Sequence, residues 1–245
     1  MAAGGEEQHS IFYKPFNAAF DKVVEVAGLQ ERFGETEVPE HVVMSLVVCA
    51  AVTVLAVAVS RGLKRDNPGT FQQVAEVFVG SLRNMLDDII GEGGGRRFLP
   101  FIGTFAVFIF VSNLAGQFFF LQPPTQNTNV TFALAITAWI GYNLMGLKAH
   151  GLAYFKQFLG PVPWLIPLML PIEIVSHFAR CLSLGMRLFG NIFGEHVAVG
   201  VFFSLVPAFM PLPLMALGLL ASGIQTFIFV ILTTSYIAGA ESSEH

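Results

Sequence analysis

The chain has 245 residues, 54% hydrophobic and 12% charged, with a mean hydropathy of +0.65, whereas a soluble domain carries about 25% charged residues. That balance excludes an ordinary soluble domain, and a formal net charge of −4 leaves none of the basic surface that nucleic-acid binding needs. Of the 30 Asp, Glu, Lys and Arg residues, 22 fall in the first 97 positions and six between Phe98 and Ala240, so the latter tract reads as immersed in a bilayer.

Residues 1–40 form an acidic segment lacking the hydrophobic core of a cleavable signal; the first crossing, 41–60, is then expected to direct insertion itself. It has the roughly 20 apolar residues needed to cross about 30 Å of hydrocarbon. Residues 61–97 read as a loop followed by an amphipathic helix at the membrane surface. There Phe71, Val74, Phe78, Leu82, Met85 and Ile89 recur at helical spacing opposite Glu76, Arg83, Asn84 and Asp87. GEGGGRRF, 91–98, lacks the GK[ST] ending of a phosphate loop and reads as a flexible hinge.

Four further crossings fill residues 98–240. Two run over 98–121 and 130–147, separated by QPPTQNTN. After a loop at 148–156 comes an apolar tract broken by Pro161, Pro163, Pro167 and Pro171, uninterrupted by proline from 172 to 205. VPAFMPLP is expected to turn the chain into a last helix over 214–240, followed by a short tail at 241–245. The fold expectation is an all-α integral membrane protein with five transmembrane crossings plus one amphipathic interfacial helix. The long charged crossing is taken as the fifth, and the final helix forms a hairpin. Cys49 and Cys181 lack metal-ligand spacing and read as small buried apolar residues.

Six Lys or Arg lie between 61 and 97 and two between 148 and 156, while the 121–130 and 206–213 loops have none. Basic short loops face the cytoplasm, which places the N-terminus outside and the C-terminus inside.

The fifth segment carries the chemistry. Taking Glu173 as zero at 100° per residue, His177 falls at about +40°, Arg180 at about −20°, Arg187 at about −40°, Asn191 at about 0° and Glu195 at about +40°. Polar and charged residues therefore share one helix face, with His196 off it near about +140°. A charge at a helix centre costs roughly 2.5–3.5 kcal/mol on insertion scales, so it is expected to face a partner, a cavity or a pathway. Within its helix the nearest acid toward the C-terminus of Arg187 is Glu195, about 12 Å along, and the other crossings contain none. A counter-charge on another polypeptide is the expectation.

SLGMRLFGN, 183–191, and IQTFIFVILTTSY, 224–236, closely resemble the subunit a family of F-type ATP synthases. GTFQQVAEVFVG, PFIGTFAVFIFVSNLAG and PTQNTNVTFALA extend the resemblance over nearly the whole chain. The resemblance implies an ion-translocating stator domain over 98–240, beside a rotating ring of c subunits, with two offset aqueous half-channels. It makes Arg187 the essential arginine, Asn191 the asparagine one turn on, Gln225 the facing glutamine, and Glu173 an acid toward the cytoplasmic half-channel. Glu195 and His196 share the region of the outward-channel acid, and either fits that role. Gly218 stands where some members have His or Glu, and Gly116 and Asn127 stand where some have acids. Further channel-lining candidates are Asn113, Gln117, Asn127, His177, Ser183, Ser222 and Thr226. The implied partners are the c-ring, peripheral-stalk b subunits and lipid in a bacterial inner membrane. No cofactor is implied. The ion is taken as H⁺, with Na⁺ the alternative, and ATP chemistry is left to other subunits because no nucleotide-binding motif is present. The competing reading from the residues alone is a secondary transporter that binds an anionic substrate at Arg187.

Overall fold

The computed structural model describes residues 11–26, 38–63, 69–118, 121–151, 154, 166–205 and 211–241. The helices, in chain order, are α1 (Tyr13–Val26), α2 (Glu40–Arg61), α3 (Thr70–Ile90), α4 (Gly94–Ala115), α5 (Thr128–His150), α6 (Ile166–Leu205) and α7 (Pro211–Glu241), with a 3-10 turn at Pro124–Gln126 between α4 and α5. No strand occurs among the described residues. Five helices, α2 and α4 to α7, are long and apolar enough to cross a membrane. The charged helix is α6, the fourth crossing when spans alone are counted.

Helices α4 to α7 pack around two apolar layers. In one, Leu82 and Leu86 of α3 meet Phe98, Ile102 and Ala106 of α4, Tyr142 of α5, and Val230, Ile237 and Ala240 of α7. In the other, Phe105 and Ile109 of α4 meet Ala135 and Ala138 of α5, Leu184 and Leu188 of α6 and Phe229 of α7. Lipid tails are as apolar as leucine, so such helices associate through close packing rather than water exclusion. Small residues such as Ala135 and Ala138 allow that approach. By contrast α2 buries only Val43, Met44 and Val48, leaving Val54, Leu55 and Val57 exposed. Cys49 is exposed on the same helix, correcting the expectation that it is buried; Cys181 is half-buried, and both are free.

Helix α3 is amphipathic as expected, but its apolar face is used in halves. Leu82 and Leu86 are buried, whereas Phe71, Val74 and Phe78 are exposed. The expected hinge after it is a pinned corner. Gly91 and Gly93 take φ of 110° and 92°, values that L side chains rarely adopt. Asp87 Oδ1 accepts from the Gly93 and Gly95 N–H groups at 3.1 and 2.8 Å. Gly94 to Arg97 are already helical, so α4 begins four residues before the expected start. It ends at Ala115 rather than 121, and Gly116, which follows, packs closely against Pro123. Replacing Asp87 by Ala leaves two helix-start N–H groups without their acceptor. It is expected to cost about 1–2 kcal/mol, seen as a lower thermal midpoint of the purified protein.

Two other boundaries move. Helix α5 runs to His150 into the expected 148–156 loop, and α6 starts at Ile166. Pro167 lies in its first turn, where the missing N–H removes no bond, and Pro171 lies inside it. Pro161, Pro163 and most of VPAFMPLP fall outside the described residues. Helix α1 was not expected at all. Its Asn17 side chain accepts from the Val38 N–H at 3.1 Å, tying it to the start of α2.

Candidate functional site

The stripe on α6 meets different neighbours at its two ends. Near the N-terminal end, Glu173 Oε1 stands 3.9 Å from Arg180 Nη2, and the Arg180 guanidinium lies 5.6 Å from the centre of the Tyr236 ring of α7. His177 is buried against α5, its Nε2 2.8 Å from Asn143 Oδ1. The Tyr154 hydroxyl donates to that same oxygen at 2.9 Å. Burial pushes the Tyr154 phenol up, with Arg180 pulling partly the other way, so it remains an O–H donor.

At the C-terminal end, Glu195 Oε1 accepts from Gln117 Nε2 at 2.6 Å. Its other oxygen is buried and has no partner among the described residues. A Cβ placed on Gly218 would stand 1.8 Å from Glu195 Oε1 and 2.4 Å from its Cδ. The carboxyl group of α6 therefore occupies the space that a side chain on α7 would fill, and any side chain there would have to displace it.

The two contacts fix the register of the helix pair. Glu195 opposes Gly218 and Arg180 opposes Tyr236, so α6 and α7 run antiparallel. One turn from Glu195, Asn191 comes level with Ser222; a further turn brings Leu188 level with Gln225. Asn191 Nδ2, Ser222 Oγ and Gln225 Nε2 are all buried without a partner among the described residues. An unpaired buried donor costs about 1–3 kcal/mol, so these tiers are built for hydrogen bonds that the described residues do not supply. Arg187, beside Leu188, is exposed on the bundle's surface and makes no side-chain hydrogen bond or ion pair with a described residue.

The remaining candidates divide. Asn113 is buried, its Oδ1 accepting from the Thr125 hydroxyl at 2.9 Å while its Nδ2 lacks a partner among the described residues; with Gln117 one turn on, it continues the line from Glu195. His196 is half-buried, and its Nδ1 lies 2.9 Å from the Ile192 carbonyl, in keeping with its place off the stripe. Asn127 is used as the N-cap of α5, accepting from the Asn129 N–H at 2.9 Å. The Thr226 hydroxyl donates to the Ser222 carbonyl at 2.9 Å, and Ser183 is exposed. Among the described residues no three His, Cys, Asp or Glu side chains gather as metal ligands would.

Sequence reasoning missed Asn143, Tyr154 and Tyr236 as partners of the stripe. Asn143 alone carried a signal, an amide inside an apolar span. The departures at Gly116 and Gly218 now have physical reasons. A Cβ at Gly116 would lie 2.9 Å from Pro123 Cγ, and Gly218 seats Glu195.

The sequence model of the family described as ATP synthase A chain matches residues 42–238. The chain is 42% identical over 205 residues to ATP synthase subunit a 1 of Syntrophotalea carbinolica, covering 84% of this chain and 87% of that one. It is 41% identical over 198 residues to ATP synthase subunit a of Geotalea daltonii, covering 81% and 86%. With the subunit a of Desulfotalea psychrophila it shares 44% over 179 residues, 73% and 75% of the two chains.

Proposed function

The chain belongs to the ATP synthase A chain family, and on that footing we propose that it is the stator of a bacterial F-type ATP synthase, passing ions to and from a rotating c-ring through two offset aqueous half-channels. The carrying observation is Arg187, exposed and without a partner among the described residues of its own chain. Its counter-charge is a carboxylate of the ring.

The guanidinium stays cationic and is a poor proton carrier. At 4 Å and an effective dielectric of about 20 it attracts a carboxylate by about 4 kcal/mol, equivalent to roughly three pKa units in favour of ionisation. A protonated ring site arriving at Arg187 releases its proton. The same positive charge opposes a cation moving straight from one half-channel to the other, so transport requires the ring to turn.

The outward half-channel follows Asn113, Gln117 and Glu195, then the tiers of Asn191 with Ser222 and of Gln225. The support is the run of buried polar atoms without partners along these helices, in positions where water takes up hydrogen bonds. Glu173, in its pair with Arg180, serves the cytoplasmic half-channel. The N-terminus lies outside and the C-terminus in the cytoplasm, from the basic loops. Peripheral-stalk b subunits hold the chain against the ring's torque.

The test uses the whole complex in vesicles. ATP synthesis is expected under an imposed proton gradient and not under a sodium gradient of equal size. Glu195→Gln is expected to slow proton-driven synthesis at least about a hundredfold, the loss of one well-placed relay, while His196→Gln stays close to the parent. Unchanged rates in both single variants and the double variant would remove the pair from the path.

A further inference from the structure

Next to the Glu173–Arg180 pair lies a hydrogen-bonded lattice that the ion path above leaves unused. Its hub is the Asn143 amide. Nδ2 donates to the Trp139 carbonyl one turn earlier at 2.7 Å, and that bond fixes which end of the amide is oxygen. The oxygen so placed lies 2.9 Å from the Tyr154 hydroxyl and 2.8 Å from His177 Nε2. A carbonyl oxygen only accepts, so Nε2 carries a hydrogen. The Tyr142 hydroxyl, 3.5 Å from the same nitrogen, is too distant to compete. On the other side of the ring, the Trp139 indole N–H donates to the His177 carbonyl at 3.2 Å, and the two rings meet edge to face at 5.4 Å.

A histidine shuttles a proton by taking it at one nitrogen and giving it up at the other. The Nε2–H of His177 faces an amide oxygen that has no proton to return and that already accepts from Tyr154. A proton lost from Nε2 cannot be replaced from that direction. Although His177 lies on the charged stripe, its geometry is that of a tie between helices.

We infer that His177 is a positioning residue: its Nε2–H, held by Asn143, ties the turn of α6 that carries Glu173 to α5 and Tyr154, and so sets where Glu173 exchanges protons. This inference rests on Glu173 belonging to the cytoplasmic half-channel. Among the described residues, the titratable or charged groups around the imidazole are Glu173, Arg180 and Cys181 on α6, Tyr142 on α5 and Tyr154 after it, with Tyr236 of α7 5.6 Å beyond Tyr142. Arg180, over the Tyr236 ring, ties α6 to α7 about two turns beyond Glu173.

The experiment is ATP-driven proton pumping by the whole ATP synthase in inverted membrane vesicles, measured across a range of pH. His177→Gln keeps an N–H donor within reach of Asn143 and cannot titrate near neutrality. It is expected to pump within about twofold of the parent, with the same pH profile. His177→Leu and Asn143→Leu break the tie and are expected to pump about tenfold more slowly. Tyr154→Phe, which removes one hydroxyl, is expected to fall between the two.

Two results overturn the inference. One is His177→Gln matching the leucine variant, or losing a limb of the parent's pH profile, since the imidazole then carries protons. The other is parent-like pumping by every variant, since the tie then positions nothing. Should the leucine variants fail to assemble, the pH profile of His177→Gln and the rate of Tyr154→Phe still decide the matter. Arg187→Ala, measured alongside, separates the failures: normal coupled pumping there removes the ion-path reading itself.

Discussion

Replacing Arg187 by alanine is expected to reduce coupled ATP synthesis roughly a thousandfold, the loss of about 4 kcal/mol of attraction to the ring carboxylate, while the complex still assembles. Assembly is spared because the side chain is exposed and makes no bond to a described residue, so nothing in the bundle is left unpaired. The measurement is synthesis rate under a fixed proton gradient, with subunit stoichiometry checked on the purified complex. A second readout follows from the positive charge as a barrier. Vesicles carrying the variant are expected to leak protons without making ATP, because the direct route between the half-channels is no longer opposed. Coupled synthesis at the parent rate, in a complex of normal composition, would remove Arg187 from the centre of the mechanism.

The second large effect is expected at Gly218, far from any charge of its own. An added methyl group in Gly218→Ala would overlap the Glu195 carboxyl, which lies 1.8 Å from the ideal Cβ position. The carboxyl is the free end of a flexible side chain, so the fold accommodates the methyl by turning Glu195 away. The cost falls on the 2.6 Å bond from Gln117 and on the position of the acid. Losing a charge-assisted hydrogen bond of about 1.5–3 kcal/mol is expected to slow proton-driven synthesis between about tenfold and a hundredfold, with assembly unchanged. Adding Glu195→Asp, one methylene shorter, relieves the overlap and is expected to recover part of the rate. A full rate in Gly218→Ala alone would show that the exact seat of this carboxyl does not matter.

The arrangement along α6 was legible because helix geometry is periodic. Residues spaced at sevens and fours, from Glu173 to Glu195, must share a face whatever packs against it. The isolation of Arg187 was legible for a similar reason, since no other crossing contains an acid. What lay beyond the sequence was contact between helices. The overlap of Glu195 with the space beside Gly218, and the convergence of Tyr154 and His177 on Asn143, depend on register and rotation, which no single helix encodes. Asn127 illustrates a third limit: an amide near a helix start serves a channel or a cap equally well on paper, and the bond to the Asn129 N–H assigns it to the cap. The start of α4 at Gly94 was missed because glycines and arginines there carry no apolar period; Asp87 and the corner, not propensity, make them helical. Helix α1 was passed over for its acidic surroundings, although Phe12, Phe16 and Phe20 recur every four residues.

The length of α6 has its own consequence. Forty residues make a rod about 58 Å long at 1.5 Å per residue, nearly twice the roughly 30 Å of hydrocarbon. Both extremities are greasy, with Leu168, Met169 and Leu170 at one and Val201 and Phe203 at the other exposed to the surroundings. A rod of that length keeps both ends within the hydrocarbon only by tilting. On the proposed ion path, such a slant makes the charged face of α6 a rail, along which successive sites of a turning ring would pass one guanidinium in sequence.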